Sequence, residues 1–238
     1  MKTNLSKCKK MAKLMFDMVL IQAGPFGTVQ HPWVSSTLCN TMKNGEPAFV
    51  SIEDADFEDC CREKMNIQVE HCKSISNLCF YINKPWRLFY IRLLFEANII
   101  SSEDLGMALN DIWTTVENIS GDVNVSYKDL VEMFQKADEN TLMTNEEIEY
   151  LHNSEDMLTL YRGVTGYNIE NRTAMSYTDD EETAKWFARR FSSDVRQVWK
   201  IQIPKSKVLA YYNNRSEHEF VIDPIDVDVV YPIEIIQL

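Results

Sequence analysis

Between Pro85 and His152 the apolar positions recur at helical spacing. Trp86, Phe89, Tyr90, Leu93, Leu94 and Ala97 form one stripe, with Pro85 in its first turn. Leu105, Leu109, Ile112, Trp113 and Val116 form a second, which Ser101 or Ser102 can cap. Ser126 with Asp129, and Thr144 with Glu147, have capping-box spacing, Asp129 standing in for the usual Glu or Gln. They open a third helix through Leu130, Met133, Phe134 and Ala137, and a short fourth. Beyond His152 the period changes. Residues 157–162, 197–203, 208–212, 218–222 and 227–236 read as strands, with Trp199, Ile201 and Ile203 on one side of theirs. One helix interrupts them, residues 180–191, capped by a Thr178–Glu181 box and burying Ala184, Phe187 and Phe191. Strands with so little helix between them predict an α+β fold, a helical part followed by a mixed, mainly antiparallel β core.

The first 80 residues carry a weaker pattern. Met11, Leu14, Met15, Met18 and Ile21 fit one face of an amphipathic helix. Four lysines precede that run, as in a signal peptide, but Asp17 interrupts it, and the helix is the better reading. Gly24-Pro25, Gly27, His31-Pro32 and Gly45 to Pro47 mark turns, and an acidic helical piece covers residues 53–71. No run is long and apolar enough to span a bilayer. The chain therefore divides into an accessory region of unknown role, residues 1–80, and a second part, residues 81–238, with helices in 85–152 and the β core in 157–238.

Composition narrows the classes. Hydrophobic residues make up 45% and charged residues 25%, which excludes a disordered chain. A net charge of −12 argues against general nucleic-acid binding. Yet Lys185, Arg189, Arg190, Arg196, Lys200, Lys205, Lys207 and Arg215 face only Asp194 in their stretch. That island is either a local anion site, such as one for a diphosphate, or a solvated strand face. All six cysteines lie in the first third of the chain. Cys60-Cys61, His71-Cys72 and Cys79 lack paired C-x-x-C knuckles, so the reading is reduced thiols without a metal.

The candidate chemistry lies late in the chain. Glu217 and Glu219 sit two apart where a strand begins, so strand alternation would give them one face, and Phe220 and Ile222 the other. Upstream stand Tyr161-Arg162-Gly163 at the end of a strand and Ser176-Tyr177-Thr178 before a helix. Read without any family, Arg162 could be a surface arginine, Ser176 a turn residue, and the two acids solvated groups on an edge strand. No histidine has an evident nucleophile or metal partner, and His218, between the acids, should point away from them.

In their order and spacing these motifs resemble the mono-ADP-ribosyltransferase superfamily, in its Arg–Ser–Glu branch with a Glu-x-Glu motif, over residues 158–224. The resemblance implies a transferase that uses NAD, releases nicotinamide and passes ADP-ribose to a protein, with arginine as acceptor. Arg162 would hold an NAD phosphate, a task suited to a planar, always charged guanidinium. Gly163 would let its backbone approach the nicotinamide carboxamide. Ser176 would support the cleft and orient the catalytic acid, with Thr178 beside it at the cofactor. Glu219 would be that acid, binding the nicotinamide ribose and stabilising positive charge as the bond to nicotinamide breaks. Glu217 would face the incoming guanidinium. Arg189, Arg190, Phe191 and Arg196 fall where the family places a loop over the phosphates and nicotinamide. Tyr211, Tyr212, Asn213, Asn214 and Arg215 fall where it selects its target. The chain departs from the family's Ser-Thr-Ser at Tyr177 and Thr178. Such enzymes serve as bacterial toxins and effectors or as phage proteins, which implies a host protein as acceptor and a cytosol, of producing or target cell, as the place of action, secretion being left open. An NAD glycohydrolase and an inactive NAD-binding or protein-interaction module are the alternatives. A nucleic-acid acceptor is disfavoured by the net charge.

Overall fold

A computed structural model of the chain describes residues 1–23, 28–43, 45–113, 115, 124–169, 174–213, 216–225 and 232–238. They fall into two compact units, Met1–Ile119 and Ser120–Leu238.

The first unit contains α1 (Leu5–Leu14), β1 (Ile21–Ala23), β2 (Thr28–Gln30), β3 (Leu38–Lys43), β4 (Glu46–Ser51), α2 (Phe57–His71), α3 (Ile75–Tyr81), α4 (Arg87–Glu96) and α5 (Ser102–Trp113). The strands form two separate antiparallel hairpins, β1–β2 and β3–β4. Helices α3 and α4 pack on α5, and α1 packs on α2, α3 and α4. Cys8, Ala12, Leu78, Ile91, Leu94 and Leu109 are fully buried between them. Buried Arg87 donates to the carbonyls of Phe80 and Ile82 and to the Thr115 hydroxyl, which satisfies the C-terminal end of α3.

Two expectations change here. The first helix starts earlier, where Asn4 caps it, and ends at Leu14 before a single 3-10 turn. Trp33 Nε1 donates to the Ala12 carbonyl and His31 bonds the Phe16 carbonyl, so side chains take up the helix end that further turns would have used. Cys8, Ala12, Met15 and Phe16 face the core, whereas Leu14 and Ile21 are exposed and Ile21 belongs to β1. The division of the chain also falls after residue 119 rather than after residue 80, because the apolar faces of α4 and α5 are buried within the first unit. Val116, expected on the second helical stripe, lies outside the described residues.

The second unit contains α6 (Tyr127–Lys136), α7 (Glu139–Leu142), α8 (Asn145–Asn153), β5 (Met157–Thr165), β6 (Ser176–Thr178), α9 (Glu181–Arg189), β7 (Arg196–Pro204), β8 (Val208–Tyr212), β9 (Glu219–Ile222) and β10 (Glu234–Gln237). The strands make one six-stranded sheet in the order β10-β7-β5-β6-β9-β8, antiparallel at every pairing. The fold is thus α+β. Both expected capping boxes, Ser126–Asp129 and Thr144–Glu147, are present. The third is not. Asp180 caps α9, its carboxylate accepting from the amides of Glu182 and Thr183, while Phe191 lies exposed beyond the helix end. Of the strand expected over 227–236, residues 227–231 lie outside the described residues.

Helix α9 lies against β5 and β7, with Ala184 and Ala188 packed on Val198, Tyr161 and Ile236. Its approach is set by Gly163, where a β-carbon would stand 2.5 Å from the Ala184 carbonyl oxygen and 2.6 Å from the Ala188 nitrogen. Among the described residues no helix is long and apolar enough to cross a membrane.

Candidate functional site

The strands that carry the three motifs are neighbours. β5 with Arg162, β6 with Ser176 and Thr178, and β9 with Glu219 lie side by side in the sheet, although Arg162 and Glu219 are 57 positions apart in the chain (219 − 162). The register is set by Tyr161 opposite Thr178, Thr178 opposite Glu219, and Glu219 opposite Tyr212. Directly opposed residues share a face. Thr178 and Glu219 therefore lie on the face of Tyr161 and Gly163, and alternation gives Arg162 and Tyr177 the other.

Arg162 is held firmly. Its Nη1 donates to the Ser176 carbonyl at 2.8 Å, and its guanidinium lies 5.8 Å from the Tyr177 ring centre. Its remaining N–H groups make no hydrogen bond among the described residues. Burial lowers its pKa, and the nearby Tyr177, Tyr127 and Glu219 act in the opposite sense. The hydroxyls of Tyr177 and Tyr212 are buried and without a hydrogen-bond partner among the described residues. Burial pushes the Tyr177 phenol up to about 12, and Tyr212 is raised by burial and by Glu219 and Glu147. The Arg162 guanidinium with the Tyr177 hydroxyl on one face, and the Tyr212 hydroxyl on the face of Glu219, are groups that polar ligands would satisfy.

The acids are placed differently from the sequence expectation. β9 begins at Glu219, and His218 before it has a left-handed backbone, φ 49°, as does Ser216, φ 55°. Strand alternation therefore stops at Glu219 and does not extend to Glu217. Glu217 is instead tied down through its backbone, its carbonyl accepting from the Thr178 hydroxyl at 2.9 Å. Thr178, rather than Ser176, is the residue opposite Glu219, while Ser176 faces Val221 and serves Arg162 through its carbonyl.

His218 is not idle. Its Nδ1 lies 3.3 Å from Asp179 and 3.2 Å from the Tyr211 hydroxyl. Tyr150 donates to the other Asp179 oxygen at 2.5 Å and stacks on Tyr211 at 4.5 Å. The hydrogen bond to Asp179, with burial behind it, raises the Tyr150 phenol to about 12. Asn213 donates its amide to buried Glu147, the capping-box acid of α8, at 2.8 Å. The segment bearing the two acids is thus pinned from β6, the loop after it and α8. Sequence reading missed this network, whose one local signal is Asp179 directly after Thr178.

Arg189, Arg190 and Phe191 are exposed at the C-terminal end of α9, where Arg190 lies 5.5 Å from the Trp186 ring and 5.3 Å from that of Phe191. Tyr211 and Tyr212, which fall where the resemblance puts target selection, are buried residues of β8, the strand expected over 208–212. Asn214 and Arg215 lie outside the described residues. The basic island is spread over several elements, and Lys185, Lys200, Lys205 and Lys207 each meet a local acid. A cavity of about 630 Å³ opens beside α8 and the start of β5, lined by Glu146, Glu149, Tyr150, Glu155 and Thr159 among others. Among the described residues no group of three or more His, Cys, Asp or Glu could hold a metal ion.

Comparison with protein-family models, with characterised proteins and with solved structures finds no match.

Proposed function

We propose that the second unit is an NAD-dependent mono-ADP-ribosyltransferase of the Arg–Ser–Glu type that modifies arginine on a host protein, as part of a bacterial effector, toxin or phage protein. The observation that carries this reading is the lateral order β5-β6-β9, which brings Arg162, Ser176, Thr178 and Glu219 onto three adjoining strands. The spare N–H groups of Arg162 suit a phosphate, with the Tyr177 hydroxyl beside them on one face of the sheet, while the Tyr212 hydroxyl accompanies Glu219 on the other. NAD supplies the activated bond between ribose and nicotinamide. Glu219 binds the adjacent ribose hydroxyl and stabilises the positive charge that develops as that bond breaks. Glu217, held by Thr178 through its backbone, orients the acceptor guanidinium. The glutamate-lined cavity at Tyr150, a residue that also holds Asp179, suits the approach of such a cation.

A second reading has its own support. Arg162 is engaged by the Ser176 carbonyl and the Tyr177 ring, and Gly163 is needed for packing against α9, which favours a unit in which these residues serve the fold and the chemistry is absent.

The test is nicotinamide release from NAD by wild type and Glu219→Gln, with and without a cell lysate containing labelled NAD. The transferase requires label on a lysate protein and a loss of about 10²-fold or more in the variant. Glu219-dependent release without label would make it a glycohydrolase. Folded protein that gains heat stability with NAD but releases nothing would be the binding module.

A further inference from the structure

The first unit holds a thiol cluster that the proposed chemistry does not use. Cys39 on β3 is buried, and Cys60 and Cys61 are consecutive, half-buried residues in the first turns of α2. The Cys60 thiol donates to Cys39 Sγ at 2.9 Å, and Cys61 follows Cys60 directly on the helix. Strand alternation brings this about. Cys39 and its partner Val50 on β4 are buried, whereas Leu38, Asn40, Met42 and Phe49 are exposed. Helix α2 packs on β3 and delivers the adjacent thiols to one point. The remaining cysteines are placed otherwise. Cys8 and Cys72 bond backbone carbonyls, and Cys79 is fully buried, its thiol pushed up to about 12 by burial. At the trio, burial raises all three thiols, and Lys64 on α2 draws Cys39 and Cys61 back down.

We infer that Cys39 and Cys60 are a redox-responsive pair, joined by exchange with a low-molecular-weight disulfide, and that Cys61 is the alternative partner of Cys39. The Cys60 thiolate attacks one sulfur of the small disulfide and expels the first small thiolate. Cys39, within contact distance, then attacks the Cys60 sulfur of the mixed disulfide and expels the second. One Cys39–Cys60 bond forms, the small disulfide is reduced to two thiols, and these take the two protons that the cysteines lose. The half-buried member is reached first and the buried member closes the bond. The bond staples β3 to α2 across 21 positions of chain, which restricts the unfolded state and stabilises the first unit.

The intact protein, incubated with glutathione disulfide, alkylated and mapped by peptide mass without reduction, tests this. Wild type should lose two hydrogens and link the Cys39 peptide to the Cys60-Cys61 peptide, reversibly with dithiothreitol, and its thermal midpoint should rise. Cys61→Ser should retain the link. Cys60→Ser should form it more slowly, through Cys61. Cys39→Ser, or Cys39→Ala if serine is not tolerated there, should carry only glutathione adducts, with circular dichroism confirming its fold. Full alkylation of wild type, adducts without an internal link, or a link that survives loss of Cys39 would overturn the inference.

Discussion

At the scale of single residues, Gly163 carries the tightest constraint in the second unit. The atoms its β-carbon would meet at 2.5 Å and 2.6 Å are backbone atoms of α9, which cannot rotate aside. Gly163→Ala must therefore lift the helix from β5, and should cost about 1–3 kcal/mol, read as a lower urea midpoint. An unchanged midpoint would leave ligand approach as the reason for this glycine. His31 is the counterpart in the first unit. It is buried, its Nδ1 accepts from the amides of Trp33 and Val34, and its Nε2 must then carry the proton donated to the Phe16 carbonyl. Burial lowers its pKa below 6.5, so the unfolded chain binds the proton more tightly than the folded one. Its contribution to stability is complete above 6.5 and is lost as pH falls from there through the lower folded pKa. The midpoint of the first unit should drop across that window in wild type. His31→Gln, though less stable, should show a shallower slope, and an equal slope in both would refute the assignment.

At the scale of elements, the legible features were those whose partners are close in sequence. The Ser126–Asp129 and Thr144–Glu147 boxes and the alternation in β7 are of this kind. Thr178 and Glu181 have the same spacing, yet Thr178 spends its hydroxyl on the Asp180 amide and on the Glu217 carbonyl, 39 residues away. No local pattern discloses that partner. The same limit applies at His218, whose left-handed backbone ends the alternation on which the pairing of Glu217 with Glu219 was read. It applies again at α1, which ends where Trp33 and His31 reach its last carbonyls and the Phe16 carbonyl after it. The candidate site was legible as three fragments. Their adjacency depends on strand order, which does not follow chain order. The corrected cap is testable, since Asp180→Ala should destabilise α9 by about 1 kcal/mol in thermal unfolding. Thr178→Val should leave that cap intact and release the Glu217 carbonyl, shifting amide signals at residues 217–219 by NMR. Equal losses of helix stability in the two variants would restore Thr178 as the cap.

At the scale of the whole chain, the two compact units have separate cores, and the place of the break has a measurable consequence. Leu88, Ile91, Leu94, Leu105, Leu109 and Ile112 of α4 and α5 are fully or almost fully buried, and α1 and α3 are among the helices packed on them. A fragment beginning at residue 81 keeps α4 and α5 but removes α1, α2 and α3, so it uncovers that apolar surface. A fragment of residues 120–238 begins at the second unit and retains the whole six-stranded sheet with α6 to α9. The shorter fragment should be monomeric and unfold cooperatively, whereas the longer one should bind a hydrophobic dye or aggregate, as expected of a large exposed apolar patch. This ordering is opposite to what a boundary near residue 80 requires, since that boundary makes α4 and α5 part of the sheet unit's core. If the longer fragment proves the better behaved, α4 and α5 serve the sheet. If the shorter one does, any activity that depends on Glu219 can be sought in 119 residues (238 − 119) free of cysteine, where the thiol chemistry of the first unit cannot interfere.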